Sequence, residues 1–518
     1  MGTSFTAVAE DCGDKLNVDA NLYLHWDLSG ETIKVSDGNE VADFEAVSAD
    51  IRSDGSYAVF RNEDVTFSGT TFQAYYPASI YESDGTVTLP SVQKYTATTD
   101  NTGKAIFAFT PMYAQSQSHS LTFQNLCGEF RLQLQKSGVH VKAIKITTDK
   151  KINGTFTIRT TDDSYCVEAG ETYQDGENTV TLNCGNVDIT TKTDFIISLP
   201  CGEYGKFDIT VIDNSYQGCT FPMPPSTTVA IERNHAKTFF RSNNALKFDT
   251  PYAPEGASTS LFSVSSSKKV YFSTGNLQYC AATGVWRFAN PTEVVGSNNI
   301  YASATYSGWI DLFAYATSGA DTRFPPYYCV FWNDRDVYWH TEPLIGTNIN
   351  DDWGHYNAIS NGGDEAGMWR TPTSDEWDYL MNTRSGYSYV HAKIDNTTLG
   401  LIVFPDGITS WNFNTTKDQD KWLNSCKNTY ACSSAELTAF LNAGCIFLPY
   451  AGQRKITADK GGANPIAYES GFYYYTSDVR YMKIKDNTVK NDGENEAKNR
   501  KLYYGRAVRL VFDYSGNN

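Results

Sequence analysis

The sequence predicts a mostly β protein: two β-sandwich domains in series, followed by a region organised around one short helix. Three observations carry this reading. The apolar runs are short and rich in β-branched and aromatic residues, with 34 Tyr and 28 Phe in 518 residues, which is the composition of strands rather than of long helices. Several runs alternate polar and apolar residues with period two, as a half-buried strand does. Asp37-Gly38, Asp54-Gly55 and Asp84-Gly85 punctuate the first runs with turn signals.

In order, residues 1–118 carry Leu22–Trp26, Thr32–Val35, Tyr57–Phe60, Thr71–Tyr76 and Thr86–Leu89, a β-sandwich rhythm. Residues 119–250 carry a second set: Phe130–Leu134, Val141–Ile146, Gly154–Ile158, Thr179–Leu182, Asp194–Leu199 and Phe207–Ile212. The alternation in Phe130–Leu134 and Phe207–Val211 predicts strands with one wet face. Residues 251–260, with Pro251, Pro254 and small polar neighbours, read as a linker to a last domain over 261–518. There Thr373 followed by Glu376 is a capping box, so a helix of two to three turns starts at that point. Pro372 fixes its approach, and Trp377, Leu380 and Met381 give it one apolar face.

Trp369-Arg-Thr-Pro-Thr-Ser-Asp-Glu-Trp377 resembles the signature of the domain that formylglycine-generating enzymes share with C-type-lectin-like binding modules. Val270–Gln278, Gly308–Phe313, Asp352–Gly354, Gly400–Asp406, Phe447–Arg454 and Val508–Val511 follow the same family's order. The resemblance implies an α+β C-type-lectin-like domain, with function on its surface loops. In the N-terminal half, Leu121–Leu134, preceded by Phe72–Pro77 and Thr110–Met112 and followed by Ile197–Tyr204, resembles bacterial fimbrillins. That likeness implies two transthyretin-like β-sandwiches, export as a lipoprotein to the cell surface, and polymerisation by donor-strand insertion between pilin subunits. It also implies a protease cut after a basic residue near the N-terminus, for which Arg52 and Arg61 are the candidates.

Length and composition bound the remaining classes. At ~150 residues per domain the chain has room for about three, and 41% hydrophobic residues are ample for their cores. No apolar run reaches the ~18 residues of a membrane-spanning helix, and the first residues lack the pattern of a signal peptide. A formal charge of −17 argues against nucleic acid as a partner. The eleven cysteines include no Cys-x-x-Cys and no zinc-finger spacing. Cys166, Cys184, Cys201 and Cys219 are 17 to 18 residues apart, so buried free thiols and disulfides across neighbouring strands both stay open.

The candidate sites are few. Trp332-Asn333-Asp334 matches the tripeptide through which calcium lectins offer hard oxygen ligands, but it precedes the helix instead of following it. An Asn-Asp turn is the plainer reading of Asn333 and Asp334, and no cofactor is expected. Asn348–Asp352 and Asn361–Glu365 read as loops capped by their own side chains. Residues 469–511 contain no cysteine, which argues against formylglycine-type oxidation, and no hydrolase or phosphate-binding motif is present. Trp411, Tyr473, Tyr475, Tyr481 and Tyr503, with Asn and Ser nearby, have the make-up of a contact surface for glycan or protein. If they lie on strands, about half of these tyrosines face the core. Lys483–Lys501, of mixed charge, reads as a solvated hairpin loop. The expectation is a non-enzymatic fimbrial tip or accessory pilin displaying a lectin-like adhesive domain toward a host or bacterial surface glycan or protein. The alternatives are a free-standing surface carbohydrate-binding protein and a divergent formylglycine-type enzyme.

Overall fold

The structure is a computed structural model describing residues 2–10, 31–51, 57–96, 109–161, 164–170, 176–222, 228–328, 342–408, 422–456, 466–492, 502 and 504–514. The protein is mostly β and forms two compact units, Met1–Tyr252 and Ala253–Asn518.

The first unit begins with β1 (Thr3–Ala9), β2 (Thr32–Ser36), β3 (Val41–Ile51), β4 (Ala58–Asn62) and β5 (Phe72–Tyr76). It continues with β6 (Tyr81–Ser83), β7 (Thr86–Leu89), β8 (Val92–Lys94), β9 (Met112–Ser116) and β10 (Ser120–Asn125). The chain then passes through β11 (Gly128–Gln135), β12 (His140–Thr148), β13 (Gly154–Thr157), β14 (Arg159–Thr161), β15 (Ser164–Cys166) and β16 (Thr179–Asp188). Last come β17 (Thr193–Leu199), β18 (Gly202–Tyr204), β19 (Phe207–Asp213), β20 (Gln217–Pro222), β21 (Val229–Ile231), β22 (Ala236–Ser242) and β23 (Thr250–Pro251).

Strands β1-β10-β9-β5-β2-β3-β4 close into a barrel. The expected open sandwich over 1–118 is thereby corrected. Its first strand pairs antiparallel with β4 and parallel with β10, and β10 lies beyond residue 118, so the boundary drawn from alternation falls between two strands of one barrel. Phe5, Ile33, Val35, Phe44, Phe60, Phe72 and Phe123 fill it. Conversely, β7 pairs with β13, and β8 runs parallel to β16. Two further sheets form a sandwich: β23-β20-β19-β12-β16-β8 faces β17-β11-β22 across Phe130, Leu132, Ile144, Ile146, Phe195, Ile197 and Ile209, and β13-β7-β6, β14-β15 and β18-β21 are small sheets of their own. Phe207–Val211 alternates as expected, with Ile212 buried beyond it, but β11 has no wet face through its first half: Glu129 and Arg131 are buried as well.

The second unit contains β24 (Phe262–Ser263), β25 (Lys269–Phe272), β26 (Leu277–Cys280), β27 (Val285–Phe288), β28 (Trp309–Ile310), α1 (Trp353–Tyr356) and α2 (Ser374–Asp378). Then follow β29 (Tyr389–Ile394), β30 (Thr398–Val403), β31 (Tyr430–Cys432), α3 (Ser434–Asn442), β32 (Ile446–Pro449), β33 (Gln453–Ile456) and β34 (Ile466–Glu469). It ends with β35 (Tyr473–Tyr475), β36 (Tyr481–Lys485), β37 (Thr488–Asp492), β38 (Gly505–Arg506) and β39 (Val511–Asp513). These make small sheets, the largest being β31-β29-β30-β32.

Helix α2 begins where the sequence places it. Thr373 Oγ1 accepts from the Glu376 N–H at 3.1 Å, and Glu376 accepts from the Thr373 N–H at 2.9 Å. A wider turn over Tyr379–Thr383 extends it, with Trp377, Leu380 and Met381 in the core. Arg370, just before the cap, grips Glu376 with two hydrogen bonds of 2.7 and 2.6 Å and reaches Asp513 on β39 at 2.6 Å. Lys268 closes the group, 3.0 Å from Glu376 and 3.2 Å from Asp513.

The boundary between the two units, after Tyr252, falls within the 251–260 stretch expected as the linker, and its residues are also tied into ordered structure. Pro251 pairs in β23, Ala257 bridges to Ser273, and the buried Ser258 hydroxyl bonds to the backbone of Phe272 and Ser260. The physical reason is that small residues with hydroxyls and prolines suit close backbone packing as well as they suit a spacer.

Candidate functional site

β1 is the first candidate. Its Phe5 and Ala7 point into the barrel with no exposed surface, and Phe5 meets Phe44 and Phe72 edge-on at 5.2 and 5.1 Å. Both ladder partners are distant in sequence. Ala7 lies opposite Ala58 on one side and beside Leu121 on the other. At the end of the strand, Glu10 accepts from Arg233 at 2.5 Å and from the Asn125 N–H at 2.7 Å, which clips β1 to the sandwich half of the unit. Withdrawing β1 would open the barrel along one slot lined by Phe44, Phe60, Phe72 and Phe123 without cutting any other strand. Phe5→Ala is expected to cost about 3–5 kcal/mol, read as a drop in the urea midpoint of the first unit.

Arg61, a processing candidate, does not offer an open cleavage point. It lies within β4, paired to Ser4 and Glu45 on its two sides, and its guanidinium holds Asp50 at 2.8 and 2.9 Å. A protease needs extended backbone free of such ladders. Arg52 lies outside the described residues.

The tyrosine-rich surface is the second candidate, and the structure divides it. Tyr475 is fully buried; its hydroxyl donates to the carbonyls of Leu502 and Tyr504 at 2.9 and 2.8 Å, so it is a core residue and not a contact residue. Tyr473 and Tyr481 are diagonal neighbours on β35 and β36, their ring centres 6.3 Å apart, and both are half-buried. The Arg506 guanidinium covers the Tyr481 face at 3.5 Å from the ring centre and lies 5.1 Å from Tyr475. That face is occupied by a cation from this chain and is closed to a sugar. Tyr473 keeps a surface position beside Glu469. Trp411 and Tyr503 lie outside the described residues, as do Asn333 and Asp334. Lys483–Asp492, expected as loop, is the paired hairpin of β36 and β37.

The oxygen-rich loops turn inward on the backbone. Asp352 is buried and accepts from the N–H groups of Gly354 at 2.9 Å and Thr371 at 2.8 Å. Asn361 takes both backbone groups of Phe288, at 2.7 and 2.9 Å. Asp311, pushed up to about 6 by burial, holds Val295 N–H and the Asn299 amide. Among the described residues no three His, Cys, Asp or Glu side chains converge as a metal site, and the nine described cysteines are free thiols. Two buried polar groups had no sequence signal: His391, between Thr429 at 3.0 Å and Tyr450 at 2.9 Å, and Glu129. Both sit in runs whose neighbours are apolar, and nothing in a one-dimensional pattern marks the partner.

No family model matches the chain, and no curated protein matches its sequence. Solved structures do. A candidate cell adhesion protein from Bacteroides ovatus is 14% identical with a TM-score of 0.29, covering 48% of this chain and 95% of its own. One from Bacteroides uniformis is 15% identical with a TM-score of 0.28, covering 48% and 96%. A fimbrial protein from Bacteroides ovatus is 10% identical with a TM-score of 0.21, covering 99% and 100%.

Proposed function

We propose that the chain is a non-enzymatic subunit of a bacterial surface fimbrium, a tip or accessory pilin that presents a C-type-lectin-like second unit to a glycan or protein ligand. The observation that carries the reading is β1. One strand, whose ladder partners among the described residues are far away in sequence, plugs an apolar slot that another extended segment of alternating pattern can fill. Insertion satisfies the two exposed ladder edges and the emptied core together, which makes strand exchange physically favourable. Tyr473, together with Trp411 and Tyr503, which lie outside the described residues, is the part of the second unit assigned to ligand contact. The fimbrillin resemblance supplies the neighbour, another pilin subunit.

The test lets the protein fold before the strand is freed. A protease site is placed between Glu10 and Glu31, the folded chain is nicked, and a labelled peptide of residues 3–10 is added in excess. Exchange of label into the protein, faster when Glu10→Gln removes the charge of the Arg233 clip, is the expected result. A nicked protein that keeps its own strand against excess peptide, and takes up no label in denaturant short of unfolding, would sink the proposal.

A further inference from the structure

In the sandwich half of the first unit, a cleft of about 370 Å³ opens between β15 and the β18–β21 pair. Cys166 and Cys201 both line it, with Glu203, Glu232 and Arg233. The backbone register relates the two thiols. Cys201 bridges to Glu168 in the parallel sense, its N–H donating to Val167 O at 2.9 Å and its carbonyl accepting from Ala169 N–H at 2.8 Å. Cys166 is two residues before Glu168, and Val167 between them is fully buried while both neighbours are partly exposed. Cys166 and Glu168 therefore share the face on which Cys201 lies.

This register decides what the pair can do. Strands ~4.8 Å apart with ~3.3 Å rise per residue put the Cα atoms of Cys166 and Cys201 roughly 8 Å apart. A disulfide spans at most about 7 Å, and neither residue is in a disulfide. A metal ion between the sulfurs, with two bonds of ~2.3 Å in place of one of ~2.05 Å, lengthens the link by more than about 2 Å and fits that gap. The surroundings favour a cation. Arg233 is already matched by Glu10, and Glu203 and Glu232 bring two carboxylates to the lining against the one ammonium of Lys150 close to Gly202. Because no third metal-binding side chain converges here among the described residues, the donor set is two thiolates, which suits a soft ion content with two ligands.

We propose that Cys166 and Cys201 form a two-thiolate site for a soft monovalent metal ion of the Cu(I) class. Binding replaces the two thiol protons with one ion, releases the protons to water, and involves no change in oxidation state. It joins the β15 segment to β18 across the cleft.

The experiment titrates the reduced full-length protein, without oxygen, with Cu(I) held by a chromogenic chelator, and repeats the titration with Ag(I). One ion is expected to leave the chelator per chain, with a rise in thermal midpoint. Cys166→Ser and Cys201→Ser should each weaken that ion by about 100-fold or more, since losing one of two linked ligands removes the chelate advantage. Cys219→Ser, on β20 away from the cleft, should bind as the parent does, and matching midpoints without metal show that the variants are folded. Retention of the tight ion in both Cys166→Ser and Cys201→Ser overturns the proposal. So does a Cys166–Cys201 disulfide found by peptide mapping after air oxidation, because it would place the sulfurs in bonding reach of each other.

Discussion

Arg370→Met will unfold the second unit at a clearly lower urea concentration than the parent, by about 3–5 kcal/mol. The guanidinium is the hub of the packing at α2: it ties the capping glutamate to Asp513 on the last strand, while its own backbone pairs with Val511. Removing it leaves two carboxylates facing each other with only Lys268, 40% exposed, to balance them. The sign with pH follows from the carboxyls. Arg370 and its hydrogen bonds outweigh burial and hold both Glu376 and Asp513 below their ordinary values. Their contribution is present above the unfolded carboxyl values and lost as pH falls through the folded ones. The gap between parent and variant should therefore narrow in acid. Equal urea midpoints at pH 7 would show that Arg370 is an ornament of the motif.

Glu129→Gln will flatten the pH dependence of the first unit. Glu129 is fully enclosed; both its oxygens lie 2.9 Å from the Ser198 hydroxyl, and that hydroxyl is 2.6 Å from the carbonyl of Phe109. A hydroxyl has one hydrogen. With it on Phe109 O, the contact to Glu129 needs a hydrogen from the carboxyl, so the neutral acid is the form that fits. Burial pushes Glu129 up to about 8. Raised above its unfolded value near 4.5, it gives stability that is whole below 4.5 and falls by up to about 1.4 kcal/mol per pH unit until the folded value is passed. Glutamine can donate to the same hydroxyl and has no charge to acquire. Urea midpoints followed by circular dichroism from pH 5 to 9 should slope in the parent and stay level in the variant. Parallel slopes would assign the pH dependence to other groups.

What could be read in advance was local. The capping box at Thr373, the apolar face of Trp377, Leu380 and Met381, and the alternation of Phe207–Val211 each depend on residues within one turn or one strand of each other. The capping box of α3, in which Ser433 and Glu436 exchange hydrogen bonds, carries the same local signature. What escaped was pairing at a distance. No pattern in residues 1–118 says that the first strand will lie beside one that starts at Ser120, or that Val92–Lys94 will complete a sheet with Thr181–Asn183. The tyrosines show the same limit. The sequence predicts that about half are core, but which faces stay open is decided by Arg506, whose position over Tyr481 depends on the register of β35, β36 and β38.

The exchange of strands inside the first unit bears on how a ribosome or an export channel delivers this chain. When residue 118 emerges, the barrel still lacks β10 and cannot close, while β7 has only β6 beside it until β13 follows and β8 waits for β16. Long-range pairing of this kind is slow and leaves edges exposed in the meantime. The barrel can therefore close only once Asn125 has emerged, and the edges of β7 and β8 stay incomplete until Thr157 and Asp188 have followed, so a chain stalled before Asn125 is a substrate for chaperones rather than a protein with one finished domain.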